Sequence, residues 1–105
     1  MPLFSVYAPD YTDEDAINRR LAARTAHLAK AAGNPSMKIG GAMLTPNEAL
    51  DSPDASKKMA GSFMIWECEN YAAAIKMLEE DPYWSGNVWD KEKTVIRPWV
   101  SPVPL

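Results

Sequence analysis

The sequence predicts an α+β fold in which four strands and two helices follow the order β-α-β-β-α-β. Four segments are rich in apolar, aromatic and β-branched residues and end at prolines, glycines or polar clusters, which is typical of strands. Two further segments carry apolar residues at helical spacing between start and stop signals. A chain of 105 residues has room for one hydrophobic core, so we expect a single domain that spans residues 1–105.

The four predicted strands are Leu3–Ala8, Met37–Leu44, Gly61–Cys68 and Lys93–Val100. Pro9-Asp10 stops the first strand. Gly40-Gly41 interrupts the second, and paired glycines in a strand indicate a bulge or a close approach by a neighbouring group. Pro98 lies within the fourth strand, which indicates an edge position or a strand end because proline cannot donate to the ladder.

The first helix is predicted to begin at an N-cap, Thr12, and to run to about Ala32. Acidic residues fill its first turn, where the helix dipole favours negative charge, and Gly33-Asn34-Pro35 stops it. One apolar stripe follows the helix at i, i+4 and i+11, formed by Ile17, Leu21 and Leu28.

The second helix is predicted over Asn70–Glu80. Apolar side chains recur there at i, i+4 and i+7, and Pro82 marks its boundary because the residue before a proline is pushed out of the helical region. The long polar segment Thr45–Ala60, with Pro46 and Pro53, is predicted to be a mobile loop that affects access to a pocket.

This element order is that of the ferredoxin-like fold, a four-stranded antiparallel sheet with both helices on one face. The strands carry apolar residues on both sides, however: Phe4 and Val6 alternate with Leu3 and Tyr7. A sheet that is apolar on both faces must be covered on both, and two helices cover only one. We therefore expect a homodimer in which a second copy covers the other face.

Composition excludes several classes of function. The net charge of -3 gives no basic footprint for nucleic acid, and the pairs Arg19-Arg20 and Lys57-Lys58 are interpreted as solvated surface. No apolar stretch approaches the roughly 20 residues of a membrane span, and no signal peptide is recognisable. We expect a cytoplasmic protein with no membrane partner.

The single cysteine and single histidine limit metal and redox chemistry. Cys68 excludes an internal disulfide and is expected to be a small buried apolar residue. One histidine and one cysteine are too few ligands for a tightly bound transition metal, and no phosphate loop or dinucleotide fingerprint is present. We therefore expect neither a metal nor a cofactor.

His27 and Asp81 are the candidate acid–base pair. His27 is the only histidine, and Asp81-Pro82-Tyr83 closes the second predicted helix. An aspartate fixes the tautomer of an imidazole and stabilises its protonated form. Each residue also has an ordinary interpretation: His27 as a histidine at the border of the apolar stripe, and Asp81 as part of an Asp-Pro helix stop. Arg24 either holds a carboxylate or enolate oxygen or extends along the surface with its head in water.

Six further side chains are candidates for substrate binding. Trp84 and Trp89 flank a polar turn after Asp81 and are able to wall an apolar pocket, although core packing is the commoner use of tryptophan. The others are polar groups near strand or helix ends: Tyr7, Asp10, Ser62 and Tyr83.

Taken together, several short motifs resemble the YciI-like, or YCII-related, proteins over nearly the whole chain. The motifs are Tyr7-Ala8-x-Asp10, Arg24-x-x-His27-Leu28, Gly40-Gly41-Ala42, Gly61-Ser62 and Asp81-Pro82-Tyr83 followed by Gly86 and Trp89. The resemblance implies a dimeric α+β barrel with an active site around a His–Asp pair, here His27 and Asp81. Relatives in the wider superfamily include muconolactone isomerases, a dehydrochlorinase and small monooxygenases.

These observations lead to a cofactor-independent lyase or isomerase as the main hypothesis. His27 would move a proton, Asp81 would orient it, and Arg24 would stabilise an oxyanion on a small cyclic or enolisable substrate. Two alternatives remain open at this point: a non-catalytic small-molecule binding or accessory protein, and a cofactor-free monooxygenase.

Overall fold

The computed structural model describes the backbone of residues 1–105 and every side chain except those of Ser56 and Lys57. Its elements are strand β1 (Leu3–Pro9), helix α1 (Ala16–Ala32), strand β2 (Met37–Leu44), strand β3 (Met59–Glu67), helix α2 (Tyr71–Glu79), a short helix α3 (Pro82–Ser85) and strand β4 (Val95–Trp99). The strands form one antiparallel sheet in the order β2-β3-β1-β4, so the predicted ferredoxin-like fold is confirmed.

The hydrophobic core lies between one face of the sheet and helices α2 and α3. On this inner face, Phe4 pairs with Trp66 and Val6 pairs with Met64 across β1 and β3, and all four side chains are buried. Leu78 of α2 packs into the same core cluster. The period-two alternation of the strands therefore places their apolar side chains against the helices, as the sequence pattern predicts.

The opposite face of the sheet, which we call the outer face, carries exposed apolar side chains. Tyr7 pairs with Phe63 on β3 and with Val95 on β4, and these three side chains are 48%, 40% and 40% exposed. Ile39 of the edge strand β2 is also exposed. The sheet is thus apolar on both faces, and only the inner one is covered by helices of this chain.

Helix α1 differs most from the sequence-based expectation. The predicted stripe does not face the core, because Leu21 and Leu28 are exposed while Arg20 and His27 are buried. The helix also begins at Ala16 rather than after a Thr12 cap, with Asp15 at the cap position and no side-chain cap bond. Burying a polar helix face costs free energy unless new hydrogen bonds replace those lost to water, and the partners here come from distant segments. Of the fully buried polar atoms on this face, only Nε of Arg20 lacks a partner among the described groups.

Other boundaries differ less from the predicted ones. Asn70 caps α2, its Oδ1 accepting the backbone N–H of Ala73 at 2.8 Å, and strand β4 is shorter than predicted. The predicted loop Thr45–Ala60 contains two short 3-10 helices, Asn47–Asp51 and Ala55–Lys58, and its end already belongs to β3.

The single cysteine lies in the core. Cys68 is buried as predicted, and burial raises the pKa of its thiol.

Within the described part of the chain, no helix has both the length and the apolar character that crossing a membrane requires.

Gly61, at the start of the buried part of β3, is expected to tolerate no side chain. A Cβ there would lie 3.0 Å from the carbonyl oxygen of Ala8 and 3.0 Å from Cα of Pro9, which are backbone atoms of the paired strand. Gly61→Ala should therefore lower the free energy of unfolding by about 1–3 kcal/mol, measured by denaturant titration. Gly33→Ala is the matched control, since its Cβ would meet only ordinary contacts of 3.8 Å or more. Equal stability of the two variants would contradict the prediction.

Candidate active site

A cavity of about 270 Å³ lies between α1, the strands β2 and β3, and α3. Helix α1 contributes Arg20, Arg24 and His27 to its wall, and Tyr83 closes it from α3. The β2 wall consists of the small residues Gly40, Gly41 and Ala42, and three methionines complete the apolar part: Met37, Met59 and Met64. The cavity is therefore mostly apolar with a few polar groups that converge from α1, β3 and α3.

His27 and Asp81 meet at the edge of this cavity. The Nδ1 atom of His27 lies 2.8 Å from Oδ1 and 3.0 Å from Oδ2 of Asp81, and both side chains are about nine-tenths buried. An ionised carboxylate only accepts hydrogen bonds, so it fixes the imidazole proton on Nδ1. The Nε2 atom has no hydrogen-bond partner among the described side chains, which leaves it free to accept a proton from a molecule in the cavity.

Asp81 has a second structural task. Its Oδ1 atom also accepts the backbone N–H of Tyr83 at 2.8 Å and thereby caps α3, whose first residue is Pro82. The cap of α3 and the imidazole of His27 are thus fixed by one carboxylate. This explains why an Asp-Pro-Tyr sequence positions a ring and a carboxylate together.

The aromatic rings around His27 hold the imidazole in place. The ring of Tyr83 stacks on it with centroids 3.8 Å apart and an angle of 10° between the planes. The indole of Trp89 meets both rings edge-on, at 5.8 Å from His27 and 5.6 Å from Tyr83. Such stacked and edge-to-face contacts restrict ring rotation, so the imidazole is preorganised.

Arg20 lies about two turns before His27 on the same helix face and forms a second buried polar cluster. Its Nη1 atom donates to both carboxylate oxygens of Asp10, at 2.8 and 3.1 Å, and Nη2 donates to Oγ of Ser62 at 2.9 Å. The guanidinium also lies 4.7 Å from the centre of the Tyr83 ring. The interpretation of Arg19-Arg20 as solvated surface is therefore wrong for Arg20, which is 2% exposed.

Neighbouring strand ends bring the partners of Arg20 together. Asp10 follows β1 and forms an isolated β-bridge with Trp89, whose Nε1 donates to Oγ of Ser62 at 3.1 Å. Ser62 faces the same side of the sheet as Ala8, its partner in β1. The cluster thus links β1, β3, α1 and the segment after α3.

Burial changes the acidity of two groups in this region. It raises the pKa of the Asp10 carboxyl, and the guanidinium of Arg20 opposes that rise. It also raises the pKa of the Tyr83 phenol, against the opposing charges of Arg20 and Arg24. Tyr83 therefore keeps its proton near neutral pH, and its hydroxyl is available as a hydrogen-bond donor.

The structure brings some of the predicted site residues to the cavity and not others. His27, Arg24, Ser62 and Tyr83 line it, and Arg24 forms no ion pair with any side chain that the structure describes. Tyr7 lies on the outer face of the sheet, away from the cavity.

Three other candidates lie close by without lining the cavity. Asp10 holds Arg20, and Trp89 lies behind Ser62 and His27. The ring of Trp84 instead lies 5.2 Å from the ammonium of Lys91.

Sequence reasoning missed Arg20 as part of the site. The only available signal was its spacing of seven residues from His27, which places the two side chains on one face of a helix. That signal was outweighed by the neighbouring Arg19, which pairs at the surface with Asp13 at 2.7 Å. Among the described side chains, no three histidines, cysteines or carboxylates gather as a metal-binding group.

Comparison with known proteins gives a consistent family assignment. The model of the YCII-related domain matches residues 5–100. Protein YciI of Escherichia coli is 34% identical over 91 residues, which cover 84% of this chain and 88% of that protein. Protein YciI of Shigella flexneri gives the same values.

Two solved structures have the same fold. One is the 5-chloro-2-hydroxyhydroquinone dehydrochlorinase TftG of Burkholderia phenoliruptrix in complex with 2,5-dihydroxybenzoquinone, with a TM-score of 0.77, 25% identity and 93% coverage of both chains. The other is a dimeric ferredoxin-like protein of unknown function from a Jannaschia species, with a TM-score of 0.56 and 9% identity over 96% of this chain and all of that one. The second likeness concerns the fold alone.

The double role of Asp81 leads to a prediction about stability. Asp81→Ala should lower the free energy of unfolding by about 1–2 kcal/mol more than Asp81→Asn, because asparagine caps a helix as well as aspartate does and alanine does not. Denaturant titration measures both values. Glu79→Ala, at an exposed position of α2, is the control and should change stability little. Equal losses in the alanine and asparagine variants would show that the cap contributes nothing.

Proposed function

The chain belongs to the YCII-related domain family, and from this premise we propose that it is a cofactor-independent lyase or isomerase acting on a small, cyclic, enolisable compound. The observation that carries the proposal is the buried contact of 2.8 Å between Nδ1 of His27 and Asp81, beside a cavity of about 270 Å³. A histidine with one nitrogen fixed by a carboxylate and the other free is suited to general base catalysis.

The proposed reaction begins with transfer of a proton from a substrate carbon to Nε2 of His27. The electron pair of the broken C–H bond enters the ring as an enolate, and the negative charge lies on the adjacent oxygen. In a lyase, that pair then expels a leaving group with its bonding electrons, and His27 afterwards releases its proton to water. In an isomerase, His27 returns the proton to a different carbon. Asp81 stabilises the imidazolium that exists between the two steps.

Two groups of the cavity are suited to stabilising the enolate oxygen. Arg24 lines the cavity with a positive charge that no described carboxylate neutralises, whereas the charge of Arg20 is already paired with Asp10. Tyr83, whose phenol pKa is raised by burial, supplies a neutral donor. Donors aimed at a developing oxyanion in a partly dry site typically contribute about 3–4 kcal/mol each to the barrier reduction.

The size and chemistry of the cavity favour a single-ring substrate. Its volume of about 270 Å³ lies just below the ~300–1,000 Å³ typical of sites for drug-sized ligands. The TftG dehydrochlorinase, by its name, acts on a chlorinated hydroxyhydroquinone, and its structure holds 2,5-dihydroxybenzoquinone. Both compounds are single rings with ionisable oxygens, which is the class of compound that we propose for this chain.

Removing either member of the pair should abolish most of the turnover. His27→Ala and Asp81→Asn should each lower kcat by about 10²–10⁴, because one removes the base and the other disturbs its tautomer. The double variant should be little slower than either single one, since the two residues act as a unit. The rate is measured by chloride release from chlorinated hydroxyhydroquinones and by deuterium incorporation into 2,5-dihydroxybenzoquinone in D₂O, above the rate without protein.

Other outcomes of this experiment would distinguish the alternatives. Losses that multiply in the double variant would contradict a coupled pair. Tight binding with no deuterium incorporation in the wild type would favour a binding protein, and substrate-dependent oxygen consumption would favour a monooxygenase. Glu79→Ala is again the matched control, since its exposed side chain on α2 does not line the cavity.

We also propose that two copies of the chain associate through the outer face of the sheet. That face exposes Tyr7, Ile39, Phe63 and Val95, and the solved relative from Jannaschia is dimeric by its description. Burial of such a contiguous apolar surface is a sufficient driving force for association, at roughly 25 cal/mol for each Å² removed from water. The resulting assembly would be the dimeric α+β barrel that the resemblance to YciI-like proteins implies.

A charge on the outer face should dissociate the proposed dimer. Light scattering after size exclusion should give twice the chain mass for the wild type at micromolar concentration and the mass of one chain for Phe63→Asp, because the carboxylate would be desolvated in the interface. Leu50→Asp is the control, since Leu50 is 80% exposed and lies outside the sheet. A wild-type protein of single-chain mass would refute the barrel.

A further inference from the structure

The hydroxyl of Ser62 has an unusual set of partners. Its oxygen accepts one hydrogen bond from Nη2 of Arg20 at 2.9 Å and another from Nε1 of Trp89 at 3.1 Å. A guanidinium and an indole N–H are donors with no accepting capacity, so the roles in both bonds are fixed. All three side chains are buried, at no more than 2% exposure.

These two bonds determine where the Ser62 proton points. A hydroxyl has two acceptor lone pairs and one proton, and both lone pairs are occupied here. The proton must therefore point away from Arg20 and Trp89. No described group accepts it, and Ser62 lines the cavity. A buried hydroxyl with an unused donor at a cavity wall indicates a ligand that supplies the acceptor.

We infer that Ser62 is a hydrogen-bond donor held in one direction for an oxygen atom of the substrate, with Arg20 and Trp89 as its positioning residues. This inference rests on the proposed function and makes it more specific. Ser62 on β3 and Tyr83 on α3 both line the cavity, as does Arg24 on α1, so hydroxyl donors and a positive charge reach it from three different elements. The substrate class that matches them is a ring with a carbonyl or enolate oxygen.

The Arg20 bond also strengthens Ser62 as a donor. A hydroxyl whose oxygen accepts from a cation is polarised, so its proton binds an acceptor more strongly, and low dielectric in a buried site enhances the effect. Asp10 holds Nη1 of Arg20 through two contacts and so fixes the guanidinium in the position where Nη2 meets Ser62. Arg20 thus acts on the substrate through Ser62, whereas Arg24 provides the direct positive charge.

The test uses 2,5-dihydroxybenzoquinone as the probe with the full chain. Ser62→Ala should weaken its binding about 10- to 100-fold in calorimetric titration, the usual effect of losing a hydrogen bond to a charged or strongly polar group. Trp89→Phe should weaken binding less, since the hydroxyl remains but is free to rotate. Ser85→Ala is the matched control, because this exposed serine of α3 does not line the cavity.

A second measurement separates donation from a merely structural role. The infrared carbonyl band of the bound probe should lie at lower frequency in the wild type than in Ser62→Ala, because a hydrogen bond weakens the C=O bond. Since alanine leaves two buried donors unpaired and is expected to reduce stability, Ser62→Cys is measured as well. It keeps a group of similar size but is a poor donor, so its carbonyl band should also lie at higher frequency.

The possible results separate this inference from the proposed function. If the wild type binds the probe and both Ser62 variants match it in affinity and carbonyl frequency, the inference is wrong and the proposed function stands. If the wild type fails to bind the probe at millimolar concentration, both are wrong for this class of compound. Weakened binding with a shifted band in both variants, and neither change in Ser85→Ala, supports the inference.

Discussion

Burial of the polar face of α1 is the constraint on which the rest of the structure depends. Arg20 and His27 lie seven residues apart on this helix and both point into the protein. Taking an arginine out of water costs several kcal/mol unless a carboxylate and further acceptors replace the lost hydration. Asp10 and Ser62 provide that replacement for Arg20, as Asp81 provides a partner for His27. The helix therefore docks in one rotation only.

The two buried pairs on α1 have different consequences. The Arg20–Asp10 pair is deeply buried, with side chains 3% and 4% exposed, and it holds Arg20 on the wall of the cavity, where Nε of Arg20 has no hydrogen-bond partner among the described groups. Losing one partner of such a pair typically costs about 3–5 kcal/mol because the other charge remains buried. The His27–Asp81 pair has an open side, since only Nδ1 is engaged. One pair fixes the position of the helix, and the other has capacity left for chemistry.

Local sequence signals predicted the strands, the second helix and the fold order because these depend on alternation and on proline and glycine stops. They failed for α1, where the apolar stripe of Leu21 and Leu28 faces outward. A periodicity argument assumes that the apolar face is the buried one, and that assumption fails when distant groups satisfy a polar face. Arg19 and Arg20 differ only in the partners that the tertiary structure supplies, which no local pattern encodes. His27 was a candidate because it is the only histidine, and its pairing with Asp81, one of seven aspartates, came from the family resemblance.

Some of the exposed apolar residues of α1 and β2 border the cavity. Leu28 of α1 and Gly40–Ala42 of β2 are exposed and line it. The side chain missing at Gly40 matters here, since a Cβ at that position would lie 2.6 Å from the sulfur of Met37, which lines the same space. A ligand in the cavity would bury this apolar wall and meet the donors of Ser62 and Tyr83 together. Since such a ligand binds only the folded chain, it also stabilises the fold by mass action. The polar face of α1 and the small residues of β2 therefore border one cavity, which a bound ligand would fill where the sequence supplies no side chain.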